Sequence, residues 1–249
     1  MVTSKSKIRL FVAPGLVKGA RFELGESQAH YLTHVMRARP GQEILVFNGR
    51  DGEWRAIAGE TSKKTRAVEV ADQTRAQEPD LGPWLAFAPL KKSPMDFIAA
   101  KATELGVSRL MAVFTENTAV GRVNTARLTA NAVEAAEQCR RLTVPEVAEP
   151  VPLERLIDEW PRQRMLLVGD QTGETNPIYE ALSGFRERRG APQCGFMVGP
   201  EGGFTDPELD ALYKLPFASL VGLGRRVLRA ETAALSMLAC WQAIVDSPH

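Results

Sequence analysis

Two regimes of hydrophobic patterning divide the chain. Up to about residue 70 the apolar positions come in short runs, Ile8 to Val12, Glu43 to Phe47, Glu53 to Ala58 and Lys63 to Val70. Runs of this length separated by turn residues predict β-strands, and Asn48-Gly49-Arg50-Asp51-Gly52 is the turn between two of them. Ser27 predicts the cap of a short helix through His30, His34 and Arg37, so a small barrel-like β domain is the economical arrangement. From Trp84 the pattern alternates between strands and helices. Strands are predicted at Trp84 to Leu90, Leu110 to Phe114, Met165 to Val168, Cys194 to Val198 and Ser219 to Leu223. Helices are predicted from Ser93-Pro94-Met95-Asp96 to Gly106, with Ser93 as cap, then over Thr125 to Arg141, Pro177 to Phe185 and Ala230 to Val245. Thr205-Asp206-Pro207-Glu208 matches a Thr-x-x-Glu capping box and opens another. Such alternation implies an α/β domain with a parallel sheet between helices. The predicted organisation is a β domain over 1–72, a polar linker over 73–83 and an α/β domain over 84–249.

Two glycine-rich turns stand out within the second regime. Gly199-Pro200-Glu201-Gly202-Gly203 follows the apolar run Cys194 to Val198, and Leu223-Gly224 follows the next strand. A glycine turn after a strand is often only punctuation, but it also lets backbone amides approach a ligand without a side chain in the way. Two of them in successive units, at one end of a predicted parallel sheet, point to a binding site. In the last helix, apolar residues from Ala233 to Val245 surround almost the whole circumference, which calls for burial on all sides.

Composition narrows the chemistry. The 249 residues are 44% hydrophobic and 24% charged, an ordinary globular balance, and no apolar run approaches the roughly 20 residues that span a bilayer. A basic, polar start without an apolar centre makes cytoplasmic residence the expectation. Cys139, Cys194 and Cys240 are odd in number and far apart, and read as reduced core residues. His30, His34 and His249 are the only histidines, which leaves the glycine-turn half without a base for a Ser-His-Asp hydrolase or ligands for a zinc site, so no metal is expected. The net charge of +1 conceals a division, with 12 Lys or Arg against 7 Asp or Glu in residues 1–70 and 19 against 23 in the remainder. The basic part suggests an anionic partner or a solvated basic face.

Neither common nucleotide-binding fingerprint is present. A dinucleotide site wants its glycines in the first βα turn, which here is Leu90-Lys91-Lys92-Ser93-Pro94, and no Gly-x-x-x-x-Gly-Lys-Ser/Thr occurs. The glycine turns instead carry a resemblance. Val198-Gly199-Pro200-Glu201-Gly202-Gly203-Phe204 together with Leu223-Gly224-x-x-Val227-Leu228-Arg229-x-Glu231-Thr232-Ala233 resembles the signature pair of the bacterial 16S rRNA uridine-N3 methyltransferases of the SPOUT superfamily. Further matches follow in order along the chain: Arg9-Leu10-Phe11-Val12, His30-x-x-x-Val35-x-Arg37, Lys101-x-x-Glu104-Leu105-Gly106 and Glu137-Gln138-x-x-Arg141-x-x-Val144-Pro145. Arg225, where members often carry Pro, and Asn117, where a basic residue is common, depart from the pattern.

The resemblance implies a PUA-like N-terminal β domain, a C-terminal α/β domain tied in a trefoil knot, a homodimer, S-adenosylmethionine as methyl donor and 16S rRNA or the small ribosomal subunit as substrate. It implies cofactor contacts from Gly199, Pro200, Glu201, Gly202, Gly203, Leu223, Gly224, Leu228, Thr232 and Ala233, the last two through free N–H groups at the start of the final helix. Arg229 is the candidate for stabilising the uridine anion or a flanking phosphate, with an ion pair to Glu231 or Glu137 as the other reading. Glu201 is the candidate for holding a ribose hydroxyl or the cofactor's amino group, and no general base is identifiable. RNA contact is expected from Lys5, Lys7, Arg9, His30, Arg37 and Arg39, continuing over Lys91, Lys92 and Arg141. The rival reading is a non-catalytic RNA-binding or ribosome-assembly protein on the same fold.

Overall fold

A computed structural model describes residues 8–62, 65–79, 81–171, 175–186 and 193–246. They divide into two units, one built from 1–79 with Ala136–Val144 and the other from 80–135 with 145–249.

The first unit contains β1 (Arg9–Phe11), β2 (Arg21–Leu24), α1 (Glu26–His30), a π-helical turn over Tyr31–Val35, β3 (Glu43–Phe47), β4 (Glu53–Ser62) and β5 (Thr65–Arg75). The strand order is β1-β3-β4-β5-β2, with β1 parallel to β3 and the other pairs antiparallel. Register shifts between Glu53 and Trp54, Trp54 and Ala56, and Ala58 and Thr61 mark bulges, which bend a sheet and raise its twist. Leu10, Ile44, Val46, Ala56, Val68 and Val70 of the sheet form one buried cluster with Leu24, Leu32 and Ala38. The short helix is capped by Gly25 in extended backbone and not by Ser27, which is already its second residue. β5 runs on through Gln73, Thr74 and Arg75, into the stretch read from the sequence as linker.

Arg9 binds Ala136–Val144 into this unit. Its Nε donates to Glu53 Oε2 at 2.6 Å, Nη1 donates to Ala136 O at 2.5 Å, and Nη2 donates to Arg141 O. The guanidinium also lies 3.8 Å over the Phe47 ring centroid. Glu137 Oε1 accepts from Phe11 N at 2.9 Å, and Arg75 Nη1 donates to Arg140 O at 2.8 Å.

The second unit contains β6 (Trp84–Phe87), α2 (Lys92–Glu104), β7 (Arg109–Phe114), α3 (Thr125–Cys139, whose last residues count with the first unit), β8 (Glu146–Val147), β9 (Val151–Pro152) and α4 (Leu153–Glu159). It continues with β10 (Met165–Asp170), α5 (Ile178–Arg186), β11 (Cys194–Val198), α6 (Asp206–Tyr213), β12 (Ala218–Gly222) and α7 (Ala230–Ile244). Its sheet is parallel throughout, in the order β12-β10-β11-β6-β7-β8, with β9 against the end of β7. Both faces are covered, as an all-parallel sheet requires. Leu85, Phe87, Leu167 and Phe196 face α2, α5 and α7, and Ala86, Leu166, Val168 and Met197 face α4 and α6. β11 at the centre is buried at all five positions.

The capping box at Thr205 and Glu208 forms as the sequence implies. α2 starts earlier than expected, at Lys92 behind an extended Lys91, so Ser93 is inside the helix and not its cap. α7 buries one stripe, Ala230, Ala233, Ala234, Met237, Leu238 and Trp241, while Ala239 and Ala243 are exposed. The expectation that this helix is enclosed on all sides is therefore not met within a single chain. Among the described residues no helix is long and apolar enough to cross a membrane, and no group of His, Cys, Asp or Glu could hold a metal ion. The three cysteines are free, with Cys194 buried and Cys139 and Cys240 half-buried. Burial pushes the Cys194 and Cys240 thiols up from their ordinary value, which keeps both protonated.

Candidate cofactor cleft

β10, β11 and β12 are neighbours and run in one direction, so their C-terminal ends at Asp170, Val198 and Gly222 open on the same edge of the sheet. That edge is where α/β sheets place ligands, because the loops leaving adjacent strands face each other there. The loops enclose an open cleft of about 780 Å³ lined by Gly169–Gln171, by Val198–Glu201 with Gly203 and Phe204, and by Leu223–Ala230 with Ala233.

The glycine turn after β11 has a defined shape with identifiable causes. Gly203 has φ +72°, in the left-handed region that favours glycine, and its N–H donates to Pro200 O at 2.9 Å. A Cβ on Gly199 would stand 2.8 Å from the Phe204 ring. Asn117, in the loop after β7, donates from Nδ2 to Gly202 O at 3.3 Å and to Gly203 O at 3.1 Å. Glu208 closes the other end, accepting from Thr205 N at 2.8 Å through Oε2 and from Glu116 N at 2.9 Å through Oε1. Gly224 begins the second turn with φ +106° and open space where a Cβ would stand.

Of the residues singled out for cofactor binding, Gly199, Pro200, Glu201, Gly203, Leu223, Gly224, Leu228 and Ala233 line the cleft. Gly202 does not, since the position of its absent side chain faces Asn117, and neither does Thr232. The Ala233 N–H is not a free donor either: it donates to Arg229 O at 2.8 Å at the start of the helix. Glu201 and Arg229 are both exposed at the cleft. Arg229 caps α7 in extended backbone and has no ion pair among the described residues, and Glu137 is engaged with Phe11 instead. The sequence reading missed Gly169, Asp170 and Gln171, whose only signal was their place at the end of a predicted strand, and it did not assign Arg225 and Arg226 to the site.

The expected RNA contacts are spread. His30 is exposed with its ring 4.7 Å from that of His34, and Arg37 (φ +50°) and Arg39 are exposed beyond the same turn. Arg141 is half-buried and donates to Thr143 Oγ1 at 3.2 Å, and Lys91 is exposed at the start of α2. Arg9 corrects the expectation, being 7% exposed with all three guanidinium nitrogens hydrogen-bonded and the Phe47 ring against it. Lys5, Lys7 and the Lys92 side chain lie outside the described residues.

The family described as the RNA methyltransferase domain matches residues 77–242, and the one described as the RNA methyltransferase PUA domain matches residues 24–68. The chain belongs to the RNA methyltransferase family. Among members similar to it, the ribosomal RNA small subunit methyltransferase E of Rickettsia conorii is 29% identical over 232 residues, 93% of either chain. The enzyme of the same name from Synechocystis sp. is 31% identical over 96% of this chain and 78% of its own. The structure of the Neisseria gonorrhoeae ribosomal RNA small subunit methyltransferase E bound to S-adenosyl methionine superposes with a TM-score of 0.84 at 27% identity, covering 96% of this chain and 98% of that one. A putative methyltransferase from Legionella pneumophila, also with the cofactor bound, gives 0.82 at 27% identity over 95% and 97%. The methyltransferase match contains β6 to β12 with most of α7, and so the whole cleft, while the PUA match lies within the bulged sheet of the first unit.

Proposed function

We propose that this RNA methyltransferase transfers a methyl group from S-adenosylmethionine to N3 of a uridine in small-subunit ribosomal RNA, in the cytoplasm. The observation that carries the reading is the cleft at the ends of β10, β11 and β12, floored by glycine backbone. Its volume of about 780 Å³ lies within the range of small-molecule sites. Val198, Leu223, Leu228 and Ala230 supply an apolar bed for a purine, and Gly224 leaves open the space a side chain would fill. Asp170, Glu201 and Asp206 supply negative charge suited to a cationic sulfonium and an ammonium group. When bound, S-adenosylmethionine supplies an electrophilic methyl group without help from a metal.

The chain's own task is to hold the acceptor in line and to ease loss of the N3 proton. Uridine N3 is a weakly acidic imide, so the reacting form carries negative charge beside the ring. Arg229, exposed at the cleft and without an ion pair among the described residues, places a permanent positive charge with several N–H donors there. Glu201, on the facing loop, holds a ribose hydroxyl or the cofactor's amino group. Base N3 is inaccessible in a stacked helix, so the target nucleotide is splayed out to reach the cleft.

The same reading includes the C-terminal trefoil knot and a homodimer. The exposed Ala239 and Ala243 and the half-buried Leu235 of α7 lie on one side of this apolar helix and give it a face for a second copy. Sedimentation of the full chain at micromolar concentration tests it: a two-chain mass supports the dimer, and a one-chain mass removes it. The activity is tested by nucleoside mass spectrometry of small-subunit rRNA from a strain lacking the gene. Loss of one 3-methyluridine, restored by the intact gene, is the expected outcome, and unchanged 3-methyluridine would refute the assignment.

A further inference from the structure

The charged side chains around the cleft are sorted by the loop that carries them. Asp170 comes from the end of β10, and Glu201 and Asp206 come from the turn after β11 and the first residue of α6. Every arginine of the cleft, Arg225, Arg226 and Arg229, comes from the single segment between β12 and α7. All three arginines are exposed, and none has a carboxylate partner among the described residues. Elsewhere in this unit Arg109 pairs with Glu146, Arg127 with Asp96 and Arg155 with Glu159, while Arg122 and Arg162 are also exposed without an ion pair among the described residues but do not line the cleft. Val227, 75% exposed, stands among the three, so the segment offers an apolar side chain and three fixed cations on one stretch of chain.

A cationic ligand and a polyanion make opposite demands on one opening. The acidic loops suit the sulfonium, and a concentration of unpaired guanidinium groups on the opposite wall suits phosphates. We infer that Arg225 and Arg226, next to Arg229 in the chain, form a phosphate-gripping lip that holds the RNA strand on either side of the nucleotide being modified. The inference rests on the reading of the cleft as a methyl-transfer site, and it places part of the RNA grip outside the basic first 70 residues. Guanidinium groups suit this task because they stay charged and can bind a phosphate through two parallel N–H donors. The glycine at 224, with φ +106°, sets the turn from which the lip projects.

The test measures binding of the full-length protein to an in vitro 16S rRNA transcript as a function of salt, with calorimetric S-adenosylmethionine binding measured on the same preparations. Each phosphate contact to single-stranded RNA contributes about 0.7 to the slope of log affinity against log salt, so Arg225→Ala with Arg226→Ala is expected to lower the slope by about 1.4. Between 50 and 200 mM salt, wild-type affinity should therefore fall about sevenfold more than that of the double variant. Arg225→Lys with Arg226→Lys should keep the slope, and Arg155→Ala, which removes a paired surface arginine, should leave it unchanged. Cofactor affinity should stay within about twofold throughout. An unchanged slope in the double alanine variant would overturn the lip, as would an equal fall in Arg155→Ala, which would reduce the effect to net charge. A double variant that loses cofactor affinity and keeps its slope would assign the arginines to the cofactor instead. A wild-type protein that binds no cofactor would refute the reading of the cleft, a result separate from the slope.

Discussion

Gly203→Ala is the sharpest single perturbation of the glycine turn. Gly203 is buried at φ +72°, where an L side chain costs about 1–2 kcal/mol. The added Cβ would also stand 2.4 Å from Gln171 Nε2, but that is the far end of an exposed, flexible side chain that can swing away. Backbone strain therefore outweighs the clash, and Gln171→Ala should not relieve it. The loop can shed the strain by leaving the conformation that Asn117 and Pro200 hold, which makes the binding-competent shape a minor population. An energy of about 1–2 kcal/mol is a factor of about 5–30 in that population, and the apparent Kd for S-adenosylmethionine rises by the same factor. Gly199→Ala behaves differently, since its conflict is with the Phe204 ring at 2.8 Å, and Phe204→Leu should recover much of the loss. Isothermal titration of each folded variant with the cofactor decides the matter. A Gly203→Ala protein that binds within twofold of wild type would refute the reasoning.

Three further outcomes are expected. Arg9→Ala leaves the buried Glu53 carboxylate without its cation and should destabilise the protein by about 3–5 kcal/mol in chemical denaturation, with rRNA affinity of the folded protein unchanged; a loss under 1 kcal/mol would contradict this role of the buried pair. The Asn48 amide and the Leu16 N–H hold the Asp51 carboxyl below the usual carboxylate range, so its stabilisation is complete above the unfolded value and disappears as pH falls through the folded one. Wild-type stability should therefore decline below about pH 4 more steeply than that of Asp51→Asn, and parallel pH profiles would contradict this. Arg229→Ala should lower the single-turnover methylation rate far more than affinity for cofactor or RNA, with Arg229→Lys a partial rescue and the pH profile displaced upward; a wild-type rate would reduce Arg229 to a helix cap.

The fold was legible where periodicity and local chemistry agree. Cys194–Val198 is a strand over the residues expected from its unbroken apolar run, and Thr205 with Glu208 forms the capping box written in the sequence. Less was legible where the deciding partner is distant. Arg9 sits in a basic N-terminal stretch and looks like a surface charge, yet Glu53, 44 residues on, and the carbonyls of Ala136 and Arg141 draw it inside. The same contacts carry Ala136–Val144 into the first unit, so no boundary drawn along the sequence could separate the two. β2 and β9 were too short to stand out, at four and two residues. The cleft was half legible: glycine turns mark two of its walls, but the third, Gly169–Gln171, follows from β10 lying between β11 and β12, and strand order is not a local property.

Methyl transfer itself offers the most direct test. Purified protein, S-adenosylmethionine labelled in its methyl group and an unmodified small-subunit rRNA or subunit should yield one labelled nucleoside per RNA, identified by mass spectrometry as 3-methyluridine. Label on a ribose hydroxyl or on another base would contradict the assigned acceptor atom. Absence of transfer to either the RNA or the subunit, from protein that binds the cofactor, would contradict the account at its centre.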